Sequence, residues 1–115
     1  RLRALAAGED VLHLDCAYVP VGKRSALIYP PGFEGGPWGI RELRPDFIEV
    51  NKEEQEQLAT NVLALSKDAV ISRPGAVRVN HALKMKGIRV ITVGFDEAPK
   101  TGGSFRCCSM PLRRV

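Results

Sequence analysis

The sequence predicts an α/β fold made of two ββαβ units. The chain has 115 residues, enough for one domain, and its composition of 44% hydrophobic and 26% charged residues is typical of a folded globular protein. Short apolar segments typical of strands alternate with segments that carry helix signals. The order strand, strand, helix, strand occurs twice, and because the two copies share no obvious residue identity, the predicted repeat is structural.

Two predicted strands open the first unit. Residues 10–21 (DVLHLDCAYVPV) alternate in polarity, and because side chains on a strand repeat with a period of two, His13 and Asp15 are expected to share one face. A turn at Gly22 leads to a second predicted strand over residues 25–30 (SALIYP), which runs into a Pro-Pro-Gly sequence that ends it.

A short helix within residues 35–43 and a brief strand over residues 47–50 are predicted to complete the first unit. Asn51 then suits a helix N-cap, and Glu54 stands at the third helical position, which is the pattern of a capping box. This pattern predicts a linking helix over residues 52–59.

The second unit begins with a predicted hairpin between residues 61–65 (NVLAL) and 69–73 (AVISR), which are joined by a polar turn. A helical stretch that starts at Val77 is expected to stop at Gly87, a natural C-cap residue. Residues 88–95 (IRVITVGF) follow as a predicted buried strand.

The last segment, residues 104–112 (SFRCCSMPL), also has the character of a strand, and it is entered through two glycines. It contains two of the three cysteines, Cys107 and Cys108, and the third is Cys16. An odd number with two adjacent residues suits neither a disulfide framework nor the CxxC pairs of a zinc site. We therefore expect a cytoplasmic protein with one reactive thiol.

Charge and hydropathy argue against two classes of partner. The net charge is +4, but the 17 basic residues are spread among 13 acidic ones without a basic run interleaved with aromatics, which does not favour nucleic-acid binding. No apolar run approaches the roughly 20 residues that span a bilayer, so no membrane partner is expected.

A distant histidine and cysteine are the candidate chemical pair. A cysteine nucleophile needs a base or a cationic neighbour that favours its thiolate, and His13 can supply this to Cys107 once the fold joins them. From composition alone, a lone histidine on a strand is more often structural. Alternation along a strand would also point at least one of Cys107 and Cys108 into the core.

The neighbouring residues have simpler interpretations beside the functional ones. Asp15 is suited to gripping a cationic substrate or to holding a nearby arginine, and Arg106 to forming a salt bridge. Cys16 is expected to be a core residue. His81 is expected on the surface.

Two motifs at the ends of the chain make the prediction more specific. HLDCAYVPVG resembles the histidine strand of the guanidino-modifying superfamily, which includes arginine deiminase, dimethylarginine dimethylaminohydrolase and the amidinotransferases, and GGSFRCCSMPLRR resembles its terminal cysteine motif. Between them, NVLAL, AVISR and NHALKMKGIRVITV resemble the intervening segments in the same order. The resemblance implies a five-bladed α/β propeller (the pentein fold), with residues 1–115 as its C-terminal portion and about two of the five units present.

The resemblance also implies roles for individual residues. Cys107 matches the nucleophile, and Cys108 would be a neighbour facing the core. His13 matches the general acid and base, and Asp15 matches the carboxylate that holds the guanidinium group. The implied reaction hydrolyses a guanidinium group of arginine or a related small molecule through a covalent thiouronium on Cys107, giving a citrulline-type product, without a metal or an organic cofactor.

Two alternatives to hydrolysis stay open. An amidinotransferase would use an amine in place of water in the second step. A truncated, non-catalytic relative would act as an interaction module. Because an incomplete propeller opens sheet edges, we also expect a homo-oligomer or an upstream segment that completes the site.

Overall fold

The computed structural model describes residues 13–33, 46–94 and 103–113. Within these residues the chain forms two three-stranded sheets, whose strand orders are β1-β2-β3 and β4-β5-β6. The predicted helix within residues 35–43 lies outside the described residues.

The first sheet consists of β1 (Tyr18–Val21), β2 (Ser25–Ile28) and β3 (Asp46–Glu49). β1 pairs with β2 in antiparallel orientation, and β2 pairs with β3 in parallel orientation. β1 lies at the edge of this sheet, where Pro20 is tolerated because an edge strand does not need every N–H. Gly22, with φ of +62°, forms the turn between β1 and β2.

The second sheet repeats this arrangement. It consists of β4 (Leu63–Ser66), β5 (Ala69–Ser72) and β6 (Arg89–Thr92). β4 and β5 form the predicted antiparallel hairpin, and β6 joins β5 in parallel orientation. The shared topology of the two sheets confirms the predicted repeat.

Both described helices have the predicted end signals. Helix α1 (Lys52–Glu56) begins with the capping box, in which the Glu54 N–H donates to Asn51 Oδ1 at 2.9 Å and the Asn51 N–H donates to Glu54 Oε2 at 3.0 Å. Helix α2 (Val77–Met85) ends in a Schellman motif, with Gly87 in the left-handed region at φ of +76°.

One apolar core joins the two units, because side chains from both sheets and from α2 pack together. This ties the strand that follows the histidine motif to the hairpin of the second unit. The cluster consists of Val19, Val21, Leu27, Ile48, Val50, Ala59, Val62, Val70, Val79, Leu83 and Ile88.

Four predictions differ from the structure. The strand expected over residues 10–21 begins only at Tyr18, because bonds from the Cys16 N–H to the His13 carbonyl (3.0 Å) and from the Ala17 N–H to the Leu14 carbonyl (2.9 Å) close a 3₁₀ turn over Leu14–Cys16. Residues 10–12 lie outside the described part. The linking helix stops at Glu56 rather than at residue 59.

The other two differences concern the end of the chain. Residues 104–112 were expected as a strand, but bonds from the Cys108 N–H to the Ser104 carbonyl (2.9 Å) and from the Ser109 N–H to the Arg106 carbonyl (3.2 Å) fold residues 105–108 into turns, and the rest of the segment is irregular. The strand expected over residues 88–95 is β6, which is largely exposed rather than buried because it lies at the edge of its sheet. In the described part of the chain, no helix has the length and apolar character needed to cross a membrane.

Candidate functional site

The 3₁₀ turn Leu14–Cys16 presents the histidine motif. His13 precedes the turn in an extended conformation and is exposed, Asp15 is half-buried, and Cys16 points inward with 3% exposure. The prediction that His13 and Asp15 share one face rested on strand alternation. This reason is wrong, because the structure has a 3₁₀ turn rather than a strand at these residues. Their side chains nevertheless lie close together, because the tight turn brings both to the same end of β1.

Cys107 meets this turn from the other end of the chain. Its sulfur lies 3.7 Å from Asp15 Oδ1 and 3.8 Å from Asp15 Oδ2. One ligand atom each from His13, Asp15 and Cys107 lie within 4.8 Å of one another. The structure thus brings together the three residues that the sequence motifs singled out.

The predicted orientation of Cys108 is wrong. It was expected to face the core opposite Cys107, but both side chains are exposed. The reason is that a succession of turns, unlike a strand, does not send neighbouring side chains to opposite sides.

Asn61 is the part of the site that sequence reasoning missed. Its side chain is buried, with 1% exposure, and its Nδ2 donates to Cys107 Sγ at 3.2 Å and to the Asp15 carbonyl at 3.3 Å. Its Oδ1 accepts from the Cys107 N–H at 3.2 Å. The available signal was a polar Thr60-Asn61 pair directly before an apolar strand, which is an unusual place for two fully buried polar residues.

Arg106 forms the salt bridge that was one of its expected roles. Its Nε lies 3.7 Å from Asp15 Oδ2, with 36% of the Arg106 side chain and 23% of the Asp15 side chain exposed. Asp15 is therefore already paired with one guanidinium group, that of Arg106 in the same chain.

Cys16 is confirmed as a core residue. Burial, and to a smaller extent the neighbouring Asp15 and Cys107, raise the pKa of the Cys16 thiol against the opposing effect of a backbone hydrogen bond at His13. Cys16 is therefore held as a neutral thiol beside the candidate site. His81 is exposed on α2, as expected.

The glycine approach to the cysteines is less constrained than its sequence suggests. Gly102 lies outside the described residues. A methyl group on Gly103 would lie 3.6 Å from Cys107 Cβ and 3.9 Å from Cys108 Sγ, which is ordinary van der Waals contact.

Comparison with known protein families identifies the family of this chain. The family model of arginine deiminase matches residues 42–114, which is more than half of the chain and includes both Asn61 and Cys107. The chain belongs to the arginine deiminase family.

Two curated relatives extend the match beyond the region of the arginine deiminase model. The chain is 43% identical over 106 residues to the uncharacterized protein YkgA of Bacillus subtilis (strain 168), and 34% identical over 102 residues to an uncharacterized protein of Caenorhabditis elegans. These matches cover 92% and 87% of this chain but 37% and 36% of the relatives. The chain thus spans little more than a third of their length.

Solved structures confirm the fold of this arginine deiminase family member. It superimposes on ArgZ, a cyanobacterial arginine dihydrolase, with a TM-score of 0.79 and 24% identity over 90% of this chain and 16% of that chain. It matches SxtG, an amidinotransferase from Microseira wollei, with a TM-score of 0.73 and 24% identity over 90% of this chain and 34% of that chain. The predicted guanidino-modifying α/β-propeller fold is therefore confirmed, and the described residues contain one complete ββαβ unit and a second sheet with the same strand topology.

Proposed function

We propose that this arginine deiminase family member supplies the cysteine and histidine part of an active site that hydrolyses a guanidinium group of arginine or a related small molecule. One observation carries the proposal: His13, Asp15 and Cys107, which are 94 positions apart at their extremes, converge until their ligand atoms lie within 4.8 Å. This reaction requires a nucleophile, an acid-base group and a carboxylate close to one another, and these three side chains can supply them.

In the first step, the Cys107 thiolate attacks the guanidinium carbon. Asp15 is suited to binding the planar cation through its two oxygens, which places the carbon beside the sulfur. A carbon–sulfur bond forms and one carbon–nitrogen bond breaks. His13, as the imidazolium, gives its proton to the departing ammonia or alkylamine, leaving a thiouronium on Cys107.

In the second step, the neutral His13 takes a proton from water, and the water oxygen attacks the thiouronium carbon. The carbon–sulfur bond then breaks and returns the electron pair to Cys107. The product is a ureido compound of the citrulline type, and water is the only co-reactant, so the proposed reaction balances without a metal or an organic cofactor.

The proposed site is a part of a larger one. The chain spans 37% of its Bacillus relative, and we propose that residues 1–115 correspond to the C-terminal portion of the propeller. The carboxylate that orients His13 and further groups that hold the substrate would then come from an upstream segment or from a second copy.

The test is incubation of the chain with arginine, dimethylarginine or agmatine, followed by intact-mass detection of a covalent adduct. A gain equal to the substrate mass minus the departing amine is expected with at least one compound. Cys107→Ser is expected to abolish the adduct, and the matched variant Cys108→Ser, which removes the exposed neighbouring thiol, is expected to keep it.

No adduct with any of the three compounds, with the chain folded and supplied with its upstream segment, would favour a non-catalytic interaction module.

Transfer rather than hydrolysis is the second candidate, and the fold match to the amidinotransferase SxtG favours it. In that reaction an amine replaces water in the second step. Adding glycine or ornithine to the reaction separates the two, because a new guanidino product indicates transfer and a ureido product indicates hydrolysis.

A further inference from the structure

We propose that Asn61 is a positioning residue for Cys107, which orients the sulfur and stabilises its thiolate form by a neutral hydrogen bond. This inference rests on the proposed role of Cys107 as the nucleophile. It adds a residue that belongs to neither sequence motif.

The orientation of the Asn61 amide is determined from both sides. The Cys107 backbone N–H can only donate, so it requires the carbonyl oxygen of the amide, which lies 3.2 Å away. The Asp15 backbone carbonyl can only accept, so it requires the amide nitrogen, which lies 3.3 Å away. With both ends assigned in this way, Nδ2 faces Cys107 Sγ at 3.2 Å as a donor.

The charge balance around the sulfur explains what this donor contributes. The two Asp15 oxygens lie 3.7 and 3.8 Å from Cys107 Sγ, and a carboxylate at that distance disfavours a thiolate. Asn61 is 1% exposed, so its side-chain N–H is shielded from water. A buried, neutral donor stabilises the thiolate without adding a cation that would compete for the guanidinium position on Asp15.

The backbone before Asn61 restricts the position of this residue. Leu58 adopts a left-handed conformation at φ of +57°, which a leucine rarely does, and the Asn61 N–H bonds to its carbonyl at 3.0 Å. Thr60, fully buried, donates from Oγ1 to the Cys16 carbonyl at 2.8 Å. Asn61 is thus anchored to the histidine turn through Thr60 and to the cysteine turn through its own side chain.

The test measures the rate of Cys107 alkylation by iodoacetamide as a function of pH, in a Cys108→Ser background, with the modified residue located by peptide mass. In Asn61→Ala we expect the pH–rate profile to move to higher pH and the rate at neutral pH to fall about tenfold, since one hydrogen bond to a charged group is lost. Asn61→Asp keeps the size and the acceptor for the Cys107 N–H but replaces the donor with an anion, so its rate is expected to fall further.

Asn80 offers a matched control, because it is another buried asparagine, with bonds to Ser72 Oγ (2.6 Å) and the Arg73 carbonyl (2.7 Å). Asn80→Ala is expected to lower the melting temperature without moving the profile. Unchanged profiles in both folded Asn61 variants would overturn the proposal. Loss of the folded state in both, with Asn80→Ala still folded, would assign Asn61 a purely structural role and overturn it equally.

The readout keeps this proposal separate from the proposed function. Alkylation requires no guanidino substrate, so a shifted profile stands whether or not the chain forms an adduct with arginine. An adduct that forms equally well in the Asn61 variants would instead support the function and contradict the positioning role.

Discussion

Asp15 has two competing cationic partners, one observed and one proposed. Arg106 Nε lies 3.7 Å from Asp15 Oδ2, and the guanidinium of the proposed substrate would use the same carboxylate. The observed pair is partly exposed, so it contributes only about 0.2–1 kcal/mol. A guanidino substrate bound as proposed would therefore displace Arg106 at a small cost.

Replacing Arg106 by glutamine is expected to separate binding from reactivity. The variant should bind a guanidino compound about two- to fivefold more tightly, since the competing cation is removed. Its Cys107 should be alkylated more slowly at neutral pH, because the Asp15 carboxylate is then uncompensated beside the sulfur. Calorimetric titration and iodoacetamide kinetics measure the two effects.

Arg89→Gln, which removes an exposed arginine from β6, is the control and should change neither quantity. Weaker binding in Arg106→Gln would indicate that Arg106 itself contacts the ligand, for example at a carboxylate, and would contradict competition for Asp15.

Ser104 is expected to tolerate loss of its hydroxyl. Among the described residues its Oγ is buried without a hydrogen-bond partner, and such a group costs about 1–3 kcal/mol of folding free energy. Ser104→Ala should therefore raise the free energy of unfolding by about 1 kcal/mol in chemical denaturation. A lower value in the variant would mean that the hydroxyl has a partner after all.

The site residues differ in how far sequence could identify them. His13, Asp15 and Cys107 stand in motifs that resemble a known family. Asn61 does not, because its importance depends on three contacts with segments 46 positions away, and a polar residue before a strand carries no sign of them. The exposure of Cys108 was also beyond the sequence, since an apolar segment does not reveal that its backbone forms turns.

At the scale of elements, a polar junction centred on Arg78 joins the two units. Arg78 on α2 donates from Nε to Glu54 Oε1 at 2.7 Å and from Nη2 to the Glu49 carbonyl of β3 at 2.7 Å. Glu54 also completes the capping box of α1 with Asn51. The junction therefore holds the helix of the second unit against the last strand and the linking helix of the first.

This junction predicts a loss of stability in acid. The hydrogen bonds from Arg78 hold the pKa of Glu54 below its usual range. Burial opposes this effect in part, and the hydrogen bond from the Asn51 N–H adds a smaller lowering. Because the folded-state pKa is lower than the unfolded value of about 4.3, the stabilisation is complete above that pH and is lost as the pH falls through the folded-state pKa. Glu54→Gln should lower stability by about 1 kcal/mol at neutral pH and flatten this acid dependence.

Thermal melts between about pH 3 and 7 test this, since unfolded carboxylates titrate in that range. Glu56→Gln is the matched control on the same helix, because Glu56 faces Lys52 at 4.0 Å and both side chains are mostly exposed. Equal pH dependence in the wild type and Glu54→Gln would contradict the assignment.

Elements with local signals were predicted well, and those that depend on distant partners were not. The capping box of α1, the hairpin of β4 and β5, and the Gly87 end of α2 each depend on residues within one turn of the chain. The segment 104–112 was predicted wrongly, because an apolar sequence becomes a strand only beside another strand. β6 pairs with one strand, β5, and among the described residues no strand pairs with its other edge.

At the scale of the whole molecule, exposed apolar side chains and a sheet edge without a further strand are found within residues 13–33, 46–94 and 103–113. Met110 is 78% exposed and Leu112 is 89% exposed, and both follow the cysteine turn. β6 lies at the edge of its sheet with Ile91 exposed. An exposed apolar edge strand is a template for pairing with another chain, which is the physical basis for the expected homo-oligomer.

We expect the chain to self-associate through the β6 edge, and solution scattering at several concentrations measures this. The radius of gyration of the single chain is 13.4 Å, and a compact dimer would approach about 17 Å by the usual scaling with chain length.

Ile91→Lys places a charge on the β6 edge and should return the radius of gyration toward the smaller value, because natural edge strands avoid pairing in this way. Leu112→Lys is the control, because it changes an exposed apolar residue outside β6. If association occurs through the β6 edge, this variant should keep the larger radius of gyration. A monodisperse monomer at every concentration would contradict self-association through the β6 edge.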